Sequence, residues 1–219
     1  LPARDPIKRL SGPYIVLHEL VARLPTALAE GTFRALVDAA AARFEPLVAA
    51  IADETSIDVL ERVKGLYGYI GKGYVHGVVG ADGAYSVPAF LAAGWLAVSK
   101  RVGRHPTIDY ADCVLYNWER VQEGAALTPE NIRLLNRFTG LLDEEWFLKT
   151  HVIIESEAAG VVSAIHEAHH AVLDNDCDRL LATLSRMEQS MSHVASNCLW
   201  IMFERCLLYT SDAADDAHG

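Results

Sequence analysis

Residues 144–173, EEWFLKTHVIIESEAAGVVSAIHEAHHAVL, decide the fold class. Apolar residues recur in this stretch at intervals of three and four without a proline, which is the spacing of one long α-helix. The same spacing predicts further helices over 14–28, 33–50, 57–75, 88–102, 108–120, 129–137 and 177–204. No alternating run between turn signals predicts a strand. We therefore expect an all-α protein.

Local signals mark where several of these helices begin or end. Thr128 ahead of Pro129 predicts a helix with a threonine N-cap and a proline at its first position. The residues Asp174-Asn175-Asp176 interrupt the apolar pattern before the last helix, and residues 77–86, GVVGADGAYS, predict an irregular loop. Residues 206–219, CLLYTSDAADDAHG, have no apolar period and look like a translated sequencing-library adapter, so we expect a non-native tail there.

Composition excludes several classes of protein. With 219 residues, 51% of them hydrophobic, the chain is long and apolar enough to bury a core. Its 19 basic and 29 acidic residues give a net charge of -10, which disfavours nucleic acid or an anionic membrane as a partner. The longest nearly uncharged apolar stretch, residues 88–99, is shorter than the roughly 20 residues that span a bilayer. Four cysteines without paired spacing favour the cytoplasm.

The most conspicuous motif is His166-Glu167-Ala168-His169-His170, which fits the zinc-peptidase pattern H-E-x-x-H. In that interpretation His166 and His170 bind zinc, Glu167 is the general base and Glu188 is a conceivable third ligand. The alternative is a solvated helix face opposite an apolar face formed by Val161, Val162, Ile165 and Val172. Chance matches to so short a pattern are frequent in a helix rich in Ala, Glu and His, so the second interpretation is favoured.

Two other groups of residues share helix faces. Tyr110, Cys113 and Val114 lie at i, i+3 and i+4, and by themselves indicate a core helix. Phe147, His151 and Ile154 lie at i, i+4 and i+7, so a histidine stands between bulky apolar neighbours. From the residues alone, a buried structural histidine is favoured over a functional one.

Several segments, taken in order, resemble the indoleamine 2,3-dioxygenase family. They are IDYADCVLYNW (108–118), LTPENIRLLNRF (127–138) and WFLKTHVIIESEAAG (146–160), preceded by LERVKGLYGYIGKGYVHG (60–77) and followed by SRMEQSMSHVASNCLWIMFERC (185–206). The resemblance implies an all-α fold in which a small N-terminal domain caps a helical domain that holds haem b. It also implies that O2 is inserted across the indole C2–C3 bond of L-tryptophan or a related indole, giving N-formylkynurenine.

The resemblance assigns roles to six residues. Tyr110, Cys113 and Val114 match positions that line the indole pocket, Phe147 matches an aromatic residue over the distal haem face, and Ile154 matches a haem contact. His151 stands where mammalian members have a serine, and it resembles the distal histidine of the related tryptophan 2,3-dioxygenases. We interpret His151 as the residue that contacts both substrate and haem and that accepts a hydrogen bond from the indole N–H.

The resemblance also implies what the chain lacks. The proximal haem histidine of the family lies beyond the position of Arg205, and none of the nine histidines matches it, so we expect no metal ligand within this chain and no activity from the chain alone. We predict a small helical domain over 1–142, the start of the haem domain over 143–205 and the tail over 206–219. The full-length protein is expected to be a monomer. A zinc peptidase and a non-catalytic helical bundle remain the alternatives.

Overall fold

A computed structural model describes residues 5–77 and 86–205. Eight α-helices account for most of them: α1 Ile15–Ala29, α2 Phe33–Ala39, α3 Leu47–Asp53, α4 Ile57–His76, α5 Ala89–Val102, α6 Leu142–Leu173, α7 Cys177–His193 and α8 Leu199–Arg205. The predicted all-α class is confirmed. No helix in these two ranges is both long and apolar enough to cross a membrane.

The ends of several helices follow the sequence signals. Ser56 caps α4 by accepting the backbone N–H of Val59, and Asp176 caps α7 by accepting that of Arg179. The break between α6 and α7 falls at the predicted residues, where Asn175 takes a positive φ of 53°. The loop predicted over 77–86 lies outside the described residues except at its two ends, and the predicted tail lies entirely outside them.

The predicted helix over 33–50 is wrong because it is interrupted. Helix α2 ends at Ala39, a 3-10 turn spans Ala41–Phe44, and α3 begins after Pro46. Proline has no backbone N–H to donate, so Pro46 cannot continue the hydrogen-bond ladder of a preceding helix, but it is tolerated just before the first turn of α3. The apolar pattern over 33–50 therefore spans two separate helices joined by a 3-10 turn.

The predicted helices over 108–120 and 129–137 are also wrong. The first contains only a π-helical turn, Ala111–Leu115, and then strand β1, Trp118–Arg120. The second contains strand β2, Ile132–Leu134, which pairs antiparallel with β1 so that Trp118 lies opposite Leu134. Thr128 caps no helix there: its hydroxyl accepts the backbone N–H of Asn131 at 3.2 Å in a turn.

Two hydrophobic clusters organise the chain. The larger is formed by α1 to α5, with Leu17, Phe33, Leu66 and Tyr67 fully buried. The smaller joins the π turn and hairpin to α6 and to a second π turn, Val194–Cys198, through Val114, Trp118, Ile132, Leu148, Val152, Ile153, Val194 and Cys198. The predicted boundary between residues 142 and 143 stays a prediction; the smaller cluster draws residues from both sides of it.

Candidate functional site

The π turn separates three residues that were predicted to share a helix face. Tyr110 directly precedes the turn, and its side chain is 46% exposed. Val114 is buried in the smaller cluster, and Cys113 is half-buried at its edge. A π-helical turn advances more residues per turn than an α-helix does, so the i, i+3, i+4 relation does not hold here. Tyr110 consequently reaches the surface of α6, whereas Val114 supports the turn from beneath.

Helix α6 brings Phe147 and His151 together as its period predicts. Their ring centroids are 4.4 Å apart at an interplanar angle of 50°. Tyr110 comes from outside the helix, with its ring 6.0 Å from that of His151 and steeply inclined to it, at 74°. Ile154, one turn further on, is half-buried and packs against the smaller cluster. The structure therefore places the imidazole of His151 in contact with two partly exposed aromatic rings.

The hydrogen bond of His151 fixes the acceptor atom of the ring. Nδ1 lies 2.8 Å from the backbone carbonyl oxygen of Phe147. A carbonyl can only accept, so Nδ1 carries the proton and donates it. In the neutral ring Nε2 then has a free lone pair. His151 can thus accept a hydrogen bond from an N–H group held beside Phe147 and Tyr110.

Glu155 completes this group, and the sequence reasoning missed it. The Tyr110 hydroxyl donates to Glu155 Oε1 at 2.9 Å. Partial burial and this hydrogen bond raise the pKa of Tyr110 above its usual range, so the phenol stays protonated and keeps donating. The sequence signal that could have identified Glu155 is its spacing, because it follows His151 by four residues and therefore shares its helix face.

A buried amide network holds the π turn from below. The Asn117 side-chain nitrogen lies 3.1 Å from the Cys113 carbonyl, 3.0 Å from the Asn136 carbonyl and 2.9 Å from the Tyr69 hydroxyl, and its two hydrogens are shared among these three acceptors. Its oxygen accepts the backbone N–H of Asn136 at 2.8 Å. Burial, with the nearby Asp112 charge, raises the pKa of the Cys113 thiol to about 11. Cys113 is therefore a neutral wall residue rather than a thiolate.

A buried ionic cluster holds the residues that lead into the π turn. Lys64 of α4 is fully buried, and its Nζ donates to Asp109 Oδ2 at 2.7 Å, to the Thr107 carbonyl at 2.8 Å and to Asp112 Oδ2. Arg104 donates to Asp109 Oδ1 at 2.6 Å and also pairs with Glu61. The sequence did contain a signal, since Lys64 lies at helical spacing between the buried Leu60 and Tyr67.

The geometry around H-E-x-x-H does not support a zinc site. The rings of His166 and His170 stack at 6.5 Å, but Glu167 is paired with Arg186 of α7. Within residues 5–77 and 86–205, no three His, Cys, Asp or Glu side chains form a group that could hold a metal ion. The histidines are exposed as the solvated-face interpretation predicts.

The apolar face proposed opposite these histidines is wrong. Val162, Ile165 and Val172 are each more than half exposed. The buried positions in this half of α6 are the small residues Ala164 and Ala171. Small side chains let the neighbouring helix approach closely, and α6 packs here on α7. The larger apolar residues are left on the outside of the helix pair.

Comparison with known proteins identifies the family. A family model described as indoleamine 2,3-dioxygenase matches residues 1–209. Indoleamine 2,3-dioxygenase acdA of Aspergillus candidus is 26% identical over 212 residues, 94% of this chain and 50% of the relative. Indoleamine 2,3-dioxygenase 1 of Rattus norvegicus is 30% identical over 174 residues, 78% and 41% respectively. The Saccharomyces cerevisiae indoleamine 2,3-dioxygenase is 26% identical over 216 residues, 90% and 46%.

These matches cover 78–94% of the chain but only 41–50% of each relative. The chain spans about half the length of the curated relatives it matches. The match of the family model includes the π turn, the hairpin and α6, which carry the aromatic and imidazole group described above. The chain belongs to the indoleamine 2,3-dioxygenase family, whose members are haem-dependent dioxygenases of tryptophan-like substrates.

Proposed function

We propose that the full-length protein is a haem-dependent dioxygenase that inserts O2 across the C2–C3 bond of the indole ring of L-tryptophan or a related indole, giving N-formylkynurenine. Family membership supports the reaction class. The observation that carries the assignment to this part of the molecule is the His151 ring, whose Nε2 is a free acceptor beside Phe147 and Tyr110. An indole offers the complementary shape, a flat apolar ring with one N–H donor.

The exposed surface of α6 fits a haem group. Phe147 is 38% exposed, which is high for a phenylalanine on an apolar helix stripe, and Ile154 lies two turns further on. A flat macrocycle laid against this stripe would cover both side chains. In this proposal Phe147 and Ile154 would contact the haem, and His151 would contact both the haem and the substrate. When bound, the haem supplies the activation of oxygen.

Three side chains, His151, Tyr110 and Glu155, would position the substrate. The His151 Nε2 accepts the indole N–H, and the inclined Tyr110 ring limits how far the indole can rotate. The Tyr110 hydroxyl is held by Glu155, so the ring keeps one orientation. We assign the neutral Cys113 thiol and Val114, which lie behind Tyr110 in the smaller cluster, to the apolar lining of the indole site. Holding the indole in one pose lowers the entropic cost of reaching the transition state.

We further propose that the proximal haem ligand comes from sequence that this chain does not contain, so that the 219 residues alone neither hold haem natively nor turn over substrate. The chain corresponds to about half of its relatives. A cytoplasmic monomer is part of the same proposal; the described cysteines Cys113, Cys177 and Cys198 are free thiols, as a reducing compartment favours.

A titration with hemin tests this function. The full-length protein should develop a Soret band that saturates at one haem per chain, and its ferrous form should convert L-tryptophan to N-formylkynurenine under O2. The 219-residue chain should do neither. Zinc-dependent peptide cleavage without haem binding would refute the proposal and restore the role of His166, Glu167 and His170.

A further inference from the structure

A polar cavity lies on the face of the molecule formed by the N-terminal segment, α1, α4 and the residues after β2. Its volume is about 280 Å³, just below the range of about 300–1,000 Å³ that is usual for drug-sized ligands, so it suits a small molecule. Three cationic side chains line it, Lys8, Arg9 and Arg62, together with the imidazole of His18. Such a concentration of positive charge is unexpected in a chain with a net charge of -10.

Arg62 is the central observation. Its side chain is only 4% exposed, yet its guanidinium makes a single hydrogen bond, from Nη2 to Asn136 Oδ1 at 3.2 Å. The Nε atom is buried without a hydrogen-bond partner. Across the described part of the chain, no carboxylate lies within ion-pair distance of Arg62. A buried arginine without a counter-ion is costly, because the charge has left water without gaining an anion.

Arg62 nevertheless keeps its charge. Burial lowers its pKa to about 10, which is still far above neutral pH. The Tyr69 hydroxyl and then the Glu119 carboxylate oppose this lowering of the pKa, but Glu119 is already shared between Lys8, at 3.3 Å, and Arg133. Glu19, the acidic residue that lines the cavity, is paired with Arg43 at 2.6 Å. The positive charge of Arg62 is therefore not neutralised by the side chains around it.

His18 is affected by the same excess of positive charge. Burial, together with the charges of Arg62 and Arg9, lowers its pKa to about 4, so the ring is neutral at pH 7. Its Nε2 accepts the backbone N–H of Leu10 at 2.9 Å, which leaves the ring proton on Nδ1 as a donor. The cavity thus combines hydrogen-bond donors with net positive charge and offers few free acceptors.

We propose that this cavity binds a small organic anion through a phosphate or carboxylate group held by Arg62, Arg9 and His18. Planar guanidinium groups match the geometry of both oxyanions. Ala22 and Leu135 form the apolar part of the lining and would contact the carbon skeleton of the ligand. The proposal is independent of the haem chemistry, since none of these residues belongs to the group around His151.

Isothermal titration calorimetry on the full-length protein tests the site. The probes are inorganic phosphate, glycerol phosphate and succinate, with sodium chloride at the same ionic strength as the blank. We expect saturable binding of one probe molecule per chain, and the tighter of the phosphate and carboxylate probes identifies the group that is recognised. Heats no larger than those of chloride for all three probes would overturn the proposal.

Variants that each lose one positive charge distinguish a specific binding site from nonspecific electrostatic attraction. Arg62→Gln and Arg9→Gln should each weaken binding by about tenfold or more, because each removes a charge-assisted hydrogen bond. Arg179→Gln removes the same charge on α7, where Arg179 pairs with Asp174 at 3.1 Å, and should leave the affinity unchanged. Arg9 is exposed, so its variant folds even where Arg62→Gln does not. Equal weakening in Arg9→Gln and Arg179→Gln would refute the site.

Discussion

Lys64→Met should destabilise the protein more than any exposed substitution on α4. The Lys64 ammonium is fully buried and donates to Thr107, Asp109 and Asp112. Methionine keeps most of the volume of the side chain but removes all three hydrogen bonds and the charge. The Asp112 carboxylate, itself 1% exposed, would then remain buried without its main counter-ion.

The size of the loss follows from what remains around Asp112. Breaking a buried ion pair by removing one partner costs about 3–5 kcal/mol. Arg104 Nη1 stays 3.3 Å from Asp112 Oδ1, and the Asp109 backbone N–H still donates at 3.0 Å. We therefore expect a loss near the lower limit, about 3 kcal/mol. For a chain of this size that corresponds to a fall in Tm of about 6–12 °C.

Urea denaturation followed by circular dichroism measures this loss. Lys72→Met on the same helix is the matched control, because Lys72 is exposed, and it should change the free energy of unfolding by no more than about 0.5 kcal/mol. Adding Asp112→Asn to Lys64→Met should recover part of the loss, since the orphaned charge disappears. A Lys64→Met variant that loses less than about 1 kcal/mol would show that the cluster does not hold the π turn in the way we describe.

Two further changes test the packing of α4 and the electrostatics of α1. Gly71→Ala should lower the free energy of unfolding by about 1–3 kcal/mol, because the new Cβ would lie 2.1 Å from the Trp95 ring. Gly160→Ala on α6 is the control: its new Cβ would have its nearest contact at 4.0 Å, so it should stabilise the protein slightly. Equal effects of the two changes in thermal melts would contradict this packing. His18 has a pKa of about 4 in the folded chain and 6.5 as its ordinary value, so the unfolded chain binds its proton more readily between these values and stability should fall as the pH drops through that window. His18→Gln should flatten this part of the stability profile, and an unchanged profile would show that His18 titrates normally.

The sequence predicted the long helices because their patterns are long and periodic. Helix α4 begins at the predicted Ile57 and ends one residue past the prediction, and α6 places Phe147 and His151 together as their spacing requires. The hairpin was missed because its strands have three residues each, too few for a period to be visible. Asn117 and Asn136, which bond to each other across 19 residues, fix it instead.

The candidate site shows the same division between local and distant information. Phe147, His151 and Ile154 follow from helical spacing, and the roles of Tyr110, Cys113 and Val114 came from the family resemblance. The contact of Tyr110 with Glu155 joins residues 45 apart in sequence, and that of Lys64 with Asp112 joins residues 48 apart. No local pattern encodes such pairings, because they depend on how α4 and α6 pack around the π turn.

The central claim is that Nε2 of His151 accepts a hydrogen bond from the indole N–H. A substrate that lacks the hydrogen on the indole nitrogen tests this claim most directly. The kcat/KM of the haem-loaded full-length protein should be measured with L-tryptophan and with its N1-methyl derivative, in the unchanged protein, in His151→Ala and in the exposed control His169→Ala. We predict that His151→Ala lowers kcat/KM for L-tryptophan by about tenfold or more but changes it little for the N1-methyl substrate, while His169→Ala changes neither. An equal loss for both substrates, or no loss for either, would contradict the account.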